Sequence, residues 1–422
     1  MGIPRIANNR YDESIFWLTL LSTFMLVQFW IVDLFWVMQI VIFVANLIMV
    51  RRLQITVDGW ILALYIAWGL SAGLCFFSEV PLSYKKSAII ALGQLLPVFF
   101  SVSLYARQLE SASFIGCLRK ALVLSCTIQL FWCLAQFLLY RGLQLDLNQL
   151  IFRDLLHLVE NPSQYKTGIY HPSGLCWHSA FMAPVTIIAF VFSRHYGIKL
   201  LALVDAVICN NATAMIGICV CIAISALFSL VEFLSRPDHT ATKRVVIAVI
   251  VVILLAIPLL SYSGVFSTVF RKAVSIYERA TGIVYDGGSA NAHIRYYTAY
   301  PQVVEDQSLL RFLFGYGSGN SGYPISKLFG QYATLKSWAV ETDVMNQLYS
   351  NGIVGFVLLY GLLAFIAVRG FRIDRRYTVL ILSLAVAGIT YNIQFSWVLF
   401  LEFLLYFCVK KNINVFEDGS PG

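Results

Sequence analysis

Long apolar runs alternate with short polar breaks along almost the whole chain, and one break is far longer than the rest. Leu-, Ile-, Val- and Phe-rich intervals occupy residues 15–31, 34–50, 59–77, 87–105, 121–140, 179–193, 197–210, 213–234, 244–262, 347–368, 377–391 and 394–410. Runs of this length cross the roughly 30 Å of bilayer hydrocarbon as helices. They are too long for the alternating segments of about ten residues that build a membrane barrel, and a helix satisfies its own backbone groups without water. The expectation is an all-α polytopic integral membrane protein with about twelve transmembrane helices. Its 422 residues form a single membrane domain with two long polar loops, 141–178 and 263–346. Asp33, Asn210-Asn211 and Asn392 to Gln394 are the punctuation between the most closely spaced runs, since short polar clusters end apolar helices.

From Ser263 to Val344 the second loop is dense in Tyr, Gly, Arg, Glu and Asp. Ordering so long an insert costs chain entropy at every residue, and loops of that length are usually functional. A ligand or a reaction is expected there.

Composition agrees with the pattern. Charged residues are 12% of the chain, hydrophobic residues 59%, and mean hydropathy is +0.76, whereas a soluble protein carries about 25% charge. Met1 to Arg10 is polar and basic, and no small-residue cleavage site follows the first apolar run, so no cleavable signal is expected. Eight of the nine cysteines, Cys75, Cys117, Cys126, Cys133, Cys209, Cys219, Cys221 and Cys408, fall in or beside apolar runs and read as small buried hydrophobes. Cys219-Val220-Cys221 lacks the spacing and partner pair of a zinc site, so no metal is expected.

The net charge of +8 resembles a nucleic-acid signal until it is mapped onto topology. With the N-terminus in the cytoplasm, the loops on that side hold Arg51-Arg52, Arg107, Arg119-Lys120, Arg194, Lys199, Arg236, Lys243-Arg244, Arg369, Arg372, Arg375-Arg376 and Lys410-Lys411. Together with Arg5 and Arg10 these are 18 of the 30 basic residues. Positive-inside asymmetry therefore predicts that both termini are cytoplasmic and that the two long loops face outward. In a bacterium this means a multi-pass protein of the inner (cytoplasmic) membrane with periplasmic loops. Nucleotide donors are absent outside the cytoplasm. No phosphate-binding loop, dinucleotide fingerprint or nucleic-acid module occurs in the sequence either.

Candidate chemistry clusters in the two loops. The first contains Lys166, Gly168, Tyr170-His171-Pro172, Gly174 and Trp177-His178. It reads either as a turn aiming the chain into the next helix, with Tyr170 and Trp177 as interfacial anchors, or as a site. In the site reading Lys166 contacts phosphate, and His171 or His178 hydrogen-bonds or transfers a proton. The second loop offers Asn291-Ala-His293-Ile-Arg295-Tyr296-Tyr297 as a short interfacial helix, whose guanidinium matches pyrophosphate oxygens. It then offers Gly315-Tyr316-Gly317-Ser318-Gly319-Asn320, a turn with backbone N–H groups free to approach an anion. Its last cluster is Glu341-Thr342-Asp343, leading into Asn346, Ser350 and Gly352. As a helix, this stretch puts Asp343, Asn346 and Ser350 on one face.

In order, Lys166, Gly168, His171-Pro172, Arg295, Gly315-Tyr316-Gly317, Glu341/Asp343 and Gly352-Ile353-Val354-Gly355 resemble the signature of the O-antigen ligase and polymerase superfamily, over most of residues 160–370. The resemblance implies an enzyme acting on glycans carried by undecaprenyl pyrophosphate as both donor and acceptor, without nucleotide sugar, metal or other cofactor. It also implies a chain-length regulator and a flippase as partners beside the lipid bilayer. Ligases of the family carry a His-Asn-type pair before the last loop-to-helix junction. Glu341-Thr342-Asp343 stands there instead and looks like the polymerase (Wzy-type) branch. Asn210-Asn211-Ala212-Thr213 stands where many relatives have a Ser-Arg-Gly turn, and Arg194 lies too far toward the cytoplasm to replace that arginine. By this resemblance Arg295, Lys166 and the Gly315–Gly319 turn hold the pyrophosphate, and Glu341 or Asp343 is the general base with His171 or His178 in reserve. Tyr296, Tyr297, Tyr316 and Trp338 bind sugar faces, and Asn346 joins the substrate site. A ligase transferring polymer to lipid A core is the alternative within the family, and a lipid-linked oligosaccharide flippase or other transporter is the alternative outside it. The second is disfavoured by the lack of repeats and by spans nearly free of charge apart from Glu402, since transporters bind substrate at buried charge and broken helices.

Overall fold

The computed structural model describes residues 14, 40–41, 44, 56–78, 80–157, 165–166, 169–176, 179–209, 212–235, 288–329, 340–393 and 396–417. The apolar intervals 15–31, 34–50 and 244–262 lie outside these residues, or almost wholly so. Each of the other expected intervals is a helix: α1 (Gly59–Phe76), α2 (Leu82–Gln108), α3 (Ala112–Leu143), α4 (Met182–Phe192), α5 (Tyr196–Ile208), α6 (Ala212–Ser235), α10 (Asp343–Gly370), α11 (Arg375–Thr390) and α12 (Ser396–Lys410). The second loop adds α7 (Gly288–Asp306), α8 (Leu309–Phe314) and α9 (Gly322–Phe329). The architecture is helical. The exception among the described residues is a pair of two-residue strands, β1 (Tyr165–Lys166) and β2 (Ile169–Tyr170), in antiparallel register. Five helices, α1, α2, α3, α6 and α10, are long and apolar enough to cross a membrane, and the chain is a membrane protein on that ground.

Several helices overrun their apolar intervals because local signals cap them further out. Ser111 accepts the Phe114 N–H and starts α3 nine residues before its apolar run, as N-cap hydroxyls do. Asp58 caps α1 through the amides of Trp60 and Ile61, so that helix starts where its apolar run does. The expected interval 179–193 departs the other way. Its α-helix is only 11 residues, about 16 Å at 1.5 Å per residue, preceded by the 3₁₀ turn Ser179–Phe181. Non-helical chain covers the remaining distance along α3. The Gln136 side chain accepts the Ser173 N–H and the Gln129 side chain the Leu175 N–H. Backbone without helix is tolerated at membrane depth only when protein supplies such partners.

One core of Leu, Ile, Val, Phe and Ala side chains runs through all nine of these bundle helices. A smaller cluster, around Val303, Ile325, Val340, Met345 and Tyr349, belongs to the second loop and the start of α10. Of the cysteines expected to be buried, Cys117 is half-buried and Cys219 is exposed, a correction that follows from their positions on sides of α3 and α6 that the described helices do not fully cover.

The two ends of the bundle differ in chemistry. At one end Asp58 pairs with Lys410 and Tyr406, Glu110 with Lys411, Glu232 with Arg375, and Asp374 with Arg376. Arg119 and Arg194 both donate to the Phe416 carbonyl. This basic end uses its charges as fasteners, and Arg194 is committed to it. The opposite, polar end carries the loop elements.

Candidate functional site

At the polar end α10 is broken. Gly352 takes φ +63° and ψ −170°, which opens the helical ladder between Asn351 and Ile353. A break leaves carbonyls without intrahelical donors, and the glycine turn supplies them. Tyr316 N–H donates to the Tyr349 carbonyl at 3.0 Å and Gly317 N–H to the Ser350 carbonyl at 2.8 Å. Ser71 of α1 adds its hydroxyl to the same Ser350 carbonyl at 2.6 Å and accepts from Gly317 N–H at 3.0 Å. Ser318 donates to Asn351 Oδ1. The fit leaves no room for side chains: a Cβ on Gly315 would meet the Ser350 oxygen at 2.4 Å, and one on Gly352 would meet the Leu313 oxygen at 2.5 Å. Both glycines also hold positive φ, the conformation that a Cβ disfavours.

This geometry corrects one expectation. The amides of Gly315, Tyr316 and Gly317 donate within the protein, to Arg311, Tyr349 and Ser350, so they are not free to approach an anion. The Gly315-Tyr316-Gly317 and Gly352-Ile353-Val354-Gly355 motifs are two halves of one joint. Asn320 locks the joint to α1 and α2, donating from Nδ2 to the Tyr84 carbonyl at 2.8 Å and to Cys75 Sγ at 3.4 Å.

The acidic residues separate in role. Asp343 opens α10 and is 1% exposed. Its Oδ1 accepts the Ile393 N–H at 2.9 Å, and a Cβ on Gly388 would lie 2.5 Å from its Oδ2. Asp343 thus pins the start of α10 to the turn between α11 and α12, with its charge at a favourable helix N-terminus. Glu341, two residues earlier, is half-buried and lies within electrostatic range of Tyr391, as does Tyr296. Asn346 and Ser350 do share one face: the Ser350 hydroxyl donates to Asn346 Oδ1 at 3.3 Å.

The arginine stretch is helical, within α7, a helix of 19 residues rather than a short one. The backbone of Arg295 is placed there; its side chain is outside the described residues. Tyr296 and Tyr297 follow. The Tyr349 hydroxyl donates to the Tyr296 carbonyl at 2.8 Å and the Tyr297 hydroxyl to the Ile389 carbonyl at 2.7 Å. Burial raises the Tyr297 phenol above its ordinary value. Burial also raises Tyr316, against the opposing Arg311 guanidinium. The structure therefore brings α7, the glycine turn and the Glu341–Asn346 segment together over one break in α10.

The first loop packs against α3. His171 is half-buried, while Pro172 to Cys176 is buried. Asn148 accepts from Trp132 Nε1 and donates to the Gly174 carbonyl, and Tyr170 stacks on Tyr140 with ring centroids 3.9 Å apart. Residues 170–176 form a largely buried turn beside α3. Lys166 lies on β1, its side chain outside the described residues, as are Gly168, His178 and Trp338.

Two residues escaped the sequence reading. Asp205 on α5 is fully buried, and neither carboxyl oxygen finds a hydrogen-bond partner among the described residues. Glu402 is therefore not the one acid inside the apolar intervals; a scan for charge within 197–210 would have found this one. Arg311 lies in the apolar string Leu309-Leu310-Arg311-Phe312-Leu313-Phe314 and donates to the Gly315 carbonyl at 2.9 Å and the Leu74 carbonyl at 3.1 Å. No family model and no curated protein sequence matches this chain.

Proposed function

We propose that the chain is a membrane glycosyltransferase that polymerises undecaprenyl-pyrophosphate-linked oligosaccharide repeat units, of O-antigen or a related surface polysaccharide. It would work on the periplasmic face of the bacterial inner membrane, with about twelve spans and both termini cytoplasmic. The observation that carries this reading is the convergence of α7, the glycine turn and Glu341 over the break at Gly352, at the end opposite the paired basic residues. An acceptor hydroxyl attacks the anomeric carbon of the donor glycan and passes its proton to Glu341. The bond from that carbon to the pyrophosphate oxygen breaks, and Arg295 meets the charge on departing undecaprenyl pyrophosphate, with Lys166 assisting. Asp343, buried and bonded to Ile393, acts as a positioning residue. Tyr296 and Tyr297 offer ring faces to sugars.

The test is a deletion strain complemented with Arg295→Ala or Glu341→Gln at matched membrane levels. Each variant is expected to leave lipopolysaccharide capped with a single repeat. Long ladders from both would refute the assigned roles, and core without any repeat in the deletion strain would indicate the ligase instead.

Asp205 and the broken α10 favour a second reading, a lipid-linked oligosaccharide transporter, because buried charge and discontinuous helices mark transport sites near the midplane. The position of the break weighs against it. Residues 353–370 still run about 27 Å as helix, nearly the hydrocarbon thickness, so the discontinuity lies at the bundle's polar end.

A further inference from the structure

We infer that the polar end holds a second docking site, for an isoprenoid diphosphate lipid, formed by Arg311, Lys85 and Lys86 over a floor of Tyr84, Tyr316 and Tyr323. The inference rests on the proposed reaction in one respect: polymerisation engages two lipid-linked molecules at once, and Arg295 with Lys166 serves one of them. Its physical support is separate.

Arg311 is half-buried, with its guanidinium 5.0 Å from the centroid of the Tyr316 ring. The Gly315 and Leu74 carbonyls occupy two of its N–H groups, out of the five a guanidinium carries. No carboxylate pairs with it among the described residues. Lys85 and Lys86, in the first turn of α2, have no ion-pair partner among the described residues either. Neighbouring residues of α1 bring the two groups to one place: Arg311 binds the Leu74 carbonyl, while Asn320 joins Cys75 Sγ to the Tyr84 carbonyl beside Lys85. Between them the rings form a row, Tyr84 to Tyr323 at 4.9 Å and Tyr323 to Tyr316 at 5.8 Å. At the basic end acids pair Lys410, Lys411, Arg375 and Arg376; here no salt bridge joins the three cations to an acid among the described residues, and the acid within electrostatic range of the Tyr316 ring is Asp306.

The surroundings point to the anion's carrier. Phe77, Leu309 and Leu82 are 88%, 72% and 64% exposed, at the C-terminal end of α1, on α8 and at the start of α2. Large apolar side chains exposed next to unpaired cations suit the boundary between hydrocarbon and water, where a lipid phosphate sits. A diphosphate gives oxygens enough for both a guanidinium fork and two ammonium groups.

The experiment uses the full-length protein in phosphatidylcholine nanodiscs and a photoreactive farnesyl diphosphate, with labelled peptides mapped by mass spectrometry. Saturable label is expected on segments 76–86 and 309–323. Arg311→Gln, and Lys85→Gln with Lys86→Gln, should each raise the half-saturating concentration there by about tenfold, as for loss of a charge-assisted contact. Arg295→Ala should leave labelling of these segments unchanged. The side chains of the lysine pair make no hydrogen bond among the described residues, so its effect stands even if Arg311→Gln loosens the glycine joint. Label absent from these segments, label indifferent to the lysine variant, or equal competition by inorganic pyrophosphate or phosphatidylglycerol would each overturn the assignment. Intact labelling beside absent polymer synthesis would sink the polymerase reading and leave this site standing.

Discussion

Asp58 and Gly352 each close one end of the same bundle, by opposite means. Asp58 is a buried carboxylate that caps α1 while holding Lys410 and the Tyr406 hydroxyl of α12. Gly352 is a bare backbone position whose broken ladder is repaired by amides from a loop. At the basic end charges are spent on structure. At the polar end neutral groups, Ser71, Ser318, Asn320, Gln129 and Gln136, do most of the fastening, beside Asp343 and Arg311 bonded to backbone, and no salt bridge joins Arg311, Lys85 or Lys86 to an acid among the described residues. A site for an anionic substrate needs such a division, because a cation already neutralised by a neighbouring acid has little to offer a ligand.

Breaking the polar joint should cost most. Gly352→Ala forces a Cβ into the Leu313 carbonyl at a positive φ, and such strain alone is of order 1–3 kcal/mol before the clash is counted. Thermal unfolding in detergent should fall by several degrees, and protease cleavage within 309–323 should appear at lower temperature than global unfolding. An unchanged profile would mean that the loop does not depend on the break.

Asp58→Asn at the basic end should cost less, about 1–2 kcal/mol for a lost charged cap and a pair whose lysine reaches solvent. Its pH dependence separates the two ends. Burial pushes the Asp58 carboxyl up, but Lys410 and the Ile61 and Trp60 amides outweigh it and hold the group below its ordinary value. A depressed folded pKa contributes stability that is present above the unfolded value of about 3.9 and is lost as pH falls through the folded one. The gap between wild type and Asp58→Asn should therefore narrow below about pH 4, while the Gly352→Ala deficit should not change with pH. Ser71→Ala should have the smallest effect, about 1 kcal/mol for one hydroxyl shared between Ser350 and Gly317, read as a modest drop in melting temperature with normal insertion.

The helices were legible because apolar length is a one-dimensional signal. Even the tight boundaries at Asn210-Asn211 and Asn392–Gln394 separate α5 from α6 and α11 from α12. Helix ends were less legible where a cap such as Ser111 lies outside the apolar run. The glycine motifs could be seen as glycines, but their pairing across 315–317 and 349–352 is a contact between distant parts of the chain that no local pattern encodes. For the same reason the sequence did not show that Asp343, a candidate base, has an oxygen held by the Ile393 amide. Asp205 and Arg311 were hidden by the apolar residues around them, since averaging over a window submerges a single charge.

The central claim, that the polar end lengthens lipid-linked glycan without a nucleotide donor, is tested most directly by reconstitution. The purified protein in liposomes would be given undecaprenyl-pyrophosphate-linked repeat units alone, and the products separated by length. The account predicts a ladder of two, three and more repeats, with release of undecaprenyl pyrophosphate and a sharp loss in Glu341→Gln. Repeat units that stay single while crossing from one leaflet to the other would contradict it and establish the transporter.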